Sequence, residues 1–245
     1  VVTGSTASVN PELDKLEKAL IKAPVDESGR KSIVIPVAKA EGVKEYGVHI
    51  PSKVMTTKDG NSNFIIKTPI ADITIPNDMF KNNDLKNAEK VGFSVQPADI
   101  SGLDDKMQEK LQGKPVIEIK AMVDRETVKW NNPKAPVVIS IPYIPTAEER
   151  KNPDSIVVWY IDGKGKVQSV PTGRYDPAAG TVTFKTTHFS KYAVAFVEKT
   201  FRDIDRSPSK KAIEVLAAKG ITQGTSDTAF SPKAMITRAD FMVLL

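Results

Sequence analysis

The sequence predicts a mainly β protein, a β-sandwich with a few short helices, followed by a small α-helical repeat. Three observations carry this. Between Lys31 and about Val197 the chain is broken into short runs rich in Val, Ile, Thr and aromatic residues, which suit a pleated, half-buried surface. Prolines stand at many run ends (Pro51, Pro69, Pro76, Pro97, Pro145, Pro171), where a missing N–H interrupts ladder pairing and protects strand edges. After Phe196 the pattern changes to two helix-like segments joined by a loop, and 245 residues are enough for two domains.

Taken in order, VVTGSTASVN has neither a charged n-region nor an apolar h-region, so it reads as linker and not as a signal peptide. Asn10-Pro11 then offers an N-cap and a proline at the first helical position, with Leu13, Leu16, Leu20 and Ile21 on one face, so residues 1–30 are expected to be linker and amphipathic helix. Residues 31–198 hold the runs SIVIPVA, YGVHIP, FIIKTP, ADITIP, VGFSVQP, VIEIKAMV, PVVISIPYIP, SIVVWYID, VQSVP, TVTFKTT and FSKYAVAFV, spaced as in a sandwich. Asp162-Gly163-Lys164-Gly165 and Asp176-Pro177 to Gly180 read as hairpin turns. LDDKMQEKLQ, from Leu103 to Gln112, reads as a short crossover helix stopped by Gly113 and Pro115.

Residues 199–245 form the last unit. Ser209 is expected to cap a helix running to Lys219, with Gly220 as its left-handed stop, and Thr237 to cap a second. A unit of this size has too little core to stand alone and is expected to stack on further copies. The closing ITRADFMVLL lacks a capping glycine or polar tail, which points to an incomplete repeat and a longer parent chain.

Composition excludes several chemistries. With no cysteine and only His49 and His188, thiol nucleophiles, disulfides and thiolate or histidine metal sites fall away. Carboxylate candidates for calcium are Asp104-Asp105, Asp162 with Asp176, and Glu148-Glu149, but acids in turns and first helical turns are what capping already predicts, and no metal or cofactor is assigned. A net charge of +5 is too small to argue for nucleic acid, and no apolar run approaches the roughly 18 residues of a membrane helix. Phosphate loops, nucleophile elbows and dinucleotide fingerprints are absent. Trp130 and Trp159 with Tyr143 and Tyr160 are candidates for a sugar platform; Trp159 sits in an apolar run and reads as core, leaving Trp130 in VKWNNPK as the surface candidate.

The tail resembles an S-layer homology repeat, a wall-anchoring module found in tandem on bacterial surface proteins. The residues that carry this are Phe201, Asp203, Ile204, Ala212, Ile213, Lys219-Gly220-Ile221, Gly224, Phe230, Pro232 and Ile236-Thr237-Arg238-Ala239-Asp240. The resemblance implies that Arg238, with Thr237, Asp240, Gly220 and Gly224, serves a groove for anionic secondary cell-wall polysaccharide on peptidoglycan. It also implies further repeats of the same parent chain as partners and a location in the wall of a Gram-positive bacterium. A guanidinium offers forked donors suited to a carboxylate, and from Lys199 onward eight basic residues face five acidic ones, +3 of the total +5. Family members commonly carry a tryptophan after the Asp-Ile segment; here it reads Arg206-Ser207-Pro208.

The preceding region resembles the β-rich part that stands before such repeats in surface-layer proteins and wall-anchored glycoside hydrolases, through PVVISIPYIPTAEERKNPDSIVVWYIDGKGK and VTFKTTHFSKYAVAFVEKTF. That implies a structural spacer or lattice domain, able to self-associate, and not a catalyst. A carbohydrate-binding module is the alternative. A third reading comes from THFSKYAV, which resembles the self-cleaving strand of the autoproteolysis-inducing domain of adhesion receptors and of ZU5-like domains. If a strand runs through it, His188 and Ser190 share a face, so that His188 as general base would let the Ser190 hydroxyl attack the Phe189 carbonyl. An N-to-O acyl shift and ester hydrolysis would follow. The plainer reading is a closing strand, with Phe189 and Phe196 in the core and His188 bonded to backbone.

Overall fold

The computed structural model describes residues 1–55, 61–80, 85 and 87–244; Leu245, the last residue of the expected repeat, lies outside them. In chain order the elements are β1 (Val2–Thr3), β2 (Thr6–Val9), α1 (Leu13–Lys22), β3 (Lys31–Pro36), β4 (Glu45–Pro51), β5 (Ser62–Lys67), β6 (Asp72–Pro76) and β7 (Lys90–Pro97). Then come α2 (Asp105–Leu111), β8 (Val116–Val123), β9 (Glu126–Val128), β10 (Val137–Pro142), β11 (Ile156–Ile161), β12 (Val167–Val170) and β13 (Arg174–Asp176). The chain closes with β14 (Thr181–Thr186), β15 (Lys191–Phe196), α3 (Lys210–Ala218) and α4 (Arg238–Leu244).

Among the described residues the strands form two sheets. One runs β1-β2-β4-β7-β8-β15-β11-β12, with β9 also paired to β8; the other runs β13-β14-β10-β6-β5-β3. Pairing is antiparallel except for β2 beside β4 and β3 beside β5. The chain switches sheets repeatedly, so the crossovers sew the two layers together, and the predicted sandwich is what forms. Its core is built by alternate residues: Val91, Phe93 and Val95 of β7 and Ile117, Ile119 and Ala121 of β8 share one apolar cluster with Ile73 and Ile75 of β6 and Val137, Ile139 and Ile141 of β10. Each such Val, Ile or Phe side chain contributes about 1.5–3 kcal/mol on burial.

The turn chemistry works as read. Asp162 accepts from the N–H groups of Lys164 and Lys166, Gly165 takes φ +79°, and β11 pairs β12 antiparallel. Asp176 accepts from the N–H groups of Ala178 and Ala179, Gly180 takes φ +64°, and β13 pairs β14. Asp104 caps α2 by accepting from the N–H of Met107 at 2.9 Å.

Three local expectations change. The first nine residues, expected as linker, instead form the β1–β2 hairpin, and β2 lies parallel to β4 with Ala7 buried. Helix α1 begins after Glu12, with no side-chain cap, so Asn10-Pro11 stands before it. The short strand β9 was not anticipated.

One strand is special. In β11, Ile156 and Val158 join the cluster between the sheets, while Val157, Trp159 and Ile161 join a second one on the outer face, with Leu103, Leu111, Ala193, Ala195 and Ala218. This is why SIVVWYI reads as a continuous apolar run and not an alternating one.

A buried polar cluster ties the β10–β11 connection to the start of β8. Glu149, 3% exposed, pairs with Lys114 and accepts from the Tyr143 hydroxyl at 2.8 Å and the Thr146 N–H at 2.8 Å. Burial alone would raise the Glu149 carboxyl, but hydrogen bonds from Lys114, Thr146 and Tyr143 outweigh it and hold it below the ordinary 4.5. A depressed carboxylate stabilises the fold above its unfolded value and stops doing so as pH falls through its folded one. Urea midpoints of the native chain should therefore drop more steeply below pH 4.5 than those of Glu149→Gln. Phe93→Ala, at a fully buried ring, should cost about 3–5 kcal/mol in urea unfolding.

Candidate functional site

The C-terminal unit starts from three buried side chains, Phe201, Ile204 and Ile213, with Ala217 and Phe230 packed against them and the two phenyl rings 5.5 Å apart. Asp203 ties its two ends together by accepting from the N–H of Phe230 at 2.9 Å and of Ser231 at 2.6 Å. Those two bonds hold its carboxyl below the usual carboxylate range, and Ser231 itself sits at φ +59°. Nothing in the sequence pattern distinguished this role of Asp203 from a solvated acid.

The two glycines named from sequence are structural in this geometry. Gly220, at φ +68°, ends α3: its N–H reaches the carbonyl of Ala217 and that of Ile221 reaches Leu216. A Cβ on Gly224 would lie 2.5 Å from the carbonyl oxygens of Ala229 and Ser226 and from the Phe201 ring, so no other residue fits. Ser209 stands at the start of α3 but makes no side-chain cap hydrogen bond.

Thr237, Arg238 and Asp240 open α4. The Thr237 hydroxyl donates to Asp240 Oδ2 at 2.6 Å and accepts from the Asp240 N–H at 3.1 Å, a reciprocal cap. With Asp240 thus engaged, Arg238 is exposed and has no ion-pair or hydrogen-bond partner among the described residues. Around it Met235, Ile236, Phe241 and Met242 are also exposed.

Residues 200–242 match the S-layer homology domain. The C-terminal segment is an S-layer homology domain. A 46-residue stretch, 19% of the chain, is 46% identical to the endo-1,4-beta-xylanase A of Thermoanaerobacterium saccharolyticum. Similarity also extends across the sandwich: 235 residues, 94% of the chain, are 25% identical to the amylopullulanase of Thermoanaerobacterium thermosulfurigenes. The chain spans 12% of the length of the amylopullulanase and 4% of that of the xylanase. An S-layer homology domain is a cell-wall anchoring module, which places this region outside the bacterial cell, at its wall. No helix among the described residues is long and apolar enough to cross a membrane.

Within the sandwich, the His188 and Ser190 side chains have different contacts. The expected strand through His188 and Ser190 does not form, because β14 ends at Thr186 and β15 begins at Lys191. The Thr186 and Tyr192 hydroxyls both donate to the His188 carbonyl, at 2.8 and 2.6 Å, and clip the connection into a turn. Ser190 donates to the carbonyl of Ile161 at 3.1 Å, while the His188 ring stands edge-on to Tyr160 at 4.6 Å. Its Nε2 is buried without a hydrogen-bond partner among the described residues, and burial lowers its pKa. Phe189 packs on Trp130 at 4.9 Å and on Phe93 at 6.1 Å, and Phe196 also packs on the core.

Trp130 is not the surface platform expected. It is 6% exposed, with its indole N–H donating to the carbonyl of Met79 at 2.8 Å; Trp159 and Tyr143 are buried too. Among the described residues, five of the six carboxylates considered for calcium already have protein partners, Asp105 being the exception. Glu148 pairs with Lys151, Glu149 with Lys114, and Asp104, Asp162 and Asp176 with backbone N–H groups. Intact-mass spectrometry after folding should give one species of full length; two products divided between Phe189 and Ser190 would show that self-cleavage occurs although the Ser190 hydroxyl bonds to the Ile161 carbonyl and not to His188.

Proposed function

We propose that this chain is the non-catalytic, wall-proximal region of a surface protein of a Gram-positive bacterium. In this reading the sandwich, residues 31–198, is a structural spacer or lattice unit, and residues 199–245 contribute to anchoring on an anionic secondary cell-wall polysaccharide. Arg238 carries the ligand contact. The observation behind it is that Thr237 and Asp240 satisfy each other while the guanidinium beside them is exposed and unpaired among the described residues. Its fork of donors matches a carboxylate geometrically, and the net +3 of the tail favours an anionic polymer. Thr237, Asp240, Gly220 and Gly224 act by shaping the domain.

The long match to an amylopullulanase favours a second reading, in which the sandwich is a carbohydrate-binding module of a glycoside-active parent protein. Retention of the chain on immobilised amylopectin or xylan would support that reading; Trp130, being buried, would not be the contact.

The test of anchoring is binding to purified peptidoglycan sacculi with and without their secondary polymer, by this chain and by the chain with two further repeats fused after Leu245. Binding should require the polymer and should fall at least about tenfold in Arg238→Ala, equivalent to about 1.4 kcal/mol. Equal binding to stripped sacculi, or none lost in Arg238→Ala, would contradict it.

A further inference from the structure

The S-layer homology domain and the sandwich meet through α3. Ala218, 3% exposed, belongs not to the small cluster of Phe201, Ile204 and Ile213 but to the outer cluster of β11 and β15, with Val157, Trp159, Ala193 and Ala195. Ala193 stands opposite Trp159 in the ladder, so small residues on β15 leave room beside the indole. Gly220 follows Ala218 over the edge strand β12, where a Cβ on it would lie 2.8 Å from the Cβ of Ser169. At the other end of α3, Lys211 bonds to the Asn152 side chain and pairs with Asp154 at 3.5 Å. The connection between the units is short, and the Val197 N–H still pairs with the Ser155 carbonyl. Three buried side chains cannot by themselves offset the ordering entropy of some 43 residues.

We propose that the sandwich is the folding cap of the S-layer homology domain: α3 is stably formed only while seated on the outer face of β11, β12 and β15. The docking face is a surface of the sandwich, and its partner is the first helix of the repeat that follows in the same chain. Helical repeats bury their apolar sides against neighbours and need a cap where the neighbours end. Here a β-sheet serves that purpose. The interface also fixes the direction in which the sandwich leaves the wall-binding unit.

Amide hydrogen exchange of the full chain tests this, read without any polymer and so independently of wall binding. Ser169→Tyr places a ring where Gly220 sits while leaving β12 on an exposed edge, and Ala218→Glu keeps a good helix former but forces a larger, charged side chain into the buried contact. Gln168→Tyr, one residue along β12, is the control. Amides of residues 210–218 should exchange on the order of tenfold faster in both interface variants, with those of β6 and β10 unchanged and the control native throughout. Unaltered protection of 210–218 in Ser169→Tyr and Ala218→Glu would overturn the proposal, because the domain would then hold its fold without the sheet.

Discussion

Strand β11 is buried on both faces, and two packing layers depend on it. Its inward side, through Ile156 and Val158, closes the cluster between the sheets; its outward side, through Val157, Trp159 and Ile161, would be an apolar patch on the surface if nothing lay over it. Helix α2 and its flanks cover one part, with Leu103, Met107 and Leu111, and Ala218 of α3 covers another. A strand this apolar is stable only where both faces find partners. The position of the wall-binding unit therefore follows from the sheet and not from a flexible tether.

Much of this was readable because it is local. Apolar runs with β-branched residues became strands, Asp-Gly and Asp-Pro turns became hairpins, and Trp159, in the apolar run SIVVWYI, is buried as read. What could not be read is what depends on distant partners. TASV carries too little apolar alternation to announce β2, which exists by pairing with Glu45–Val48 some 39 residues away. Strand β9, three residues long, exists because a turn folds it back on β8, with Asp124 at φ +54°. Trp130 reads as exposed in its polar surroundings, yet its N–H finds a carbonyl 51 residues earlier in the chain. His188 and Ser190 read as strand neighbours until the hydroxyls of Thr186 and Tyr192 turn the backbone between them.

The site divides in the same way. The Thr237 to Asp240 spacing announced a helix start, and the cap is there; that Arg238 is left free needed the knowledge that Asp240 is engaged. Gly224 is demanded by contacts with Ala229, Ser226 and the Phe201 ring, which a sequence shows only as a glycine. Most of the residues that mark the family hold the domain together through Asp203, Gly220 and Gly224. Arg238 stands exposed at the start of α4, as do Arg202, Arg206 and Lys233 elsewhere in the domain.

The two tryptophans allow the central claim, that one strand holds both layers, to be read directly. Fluorine NMR of the chain labelled with 5-fluorotryptophan resolves Trp159, in the outer cluster, from Trp130, in the inner one. When Ala218→Glu unseats α3, the Trp159 resonance should move toward its solvent-exposed position while that of Trp130 stays native. A Trp159 resonance that ignores Ala218→Glu would contradict the account, because the outer face of β11 would then be covered without the repeat.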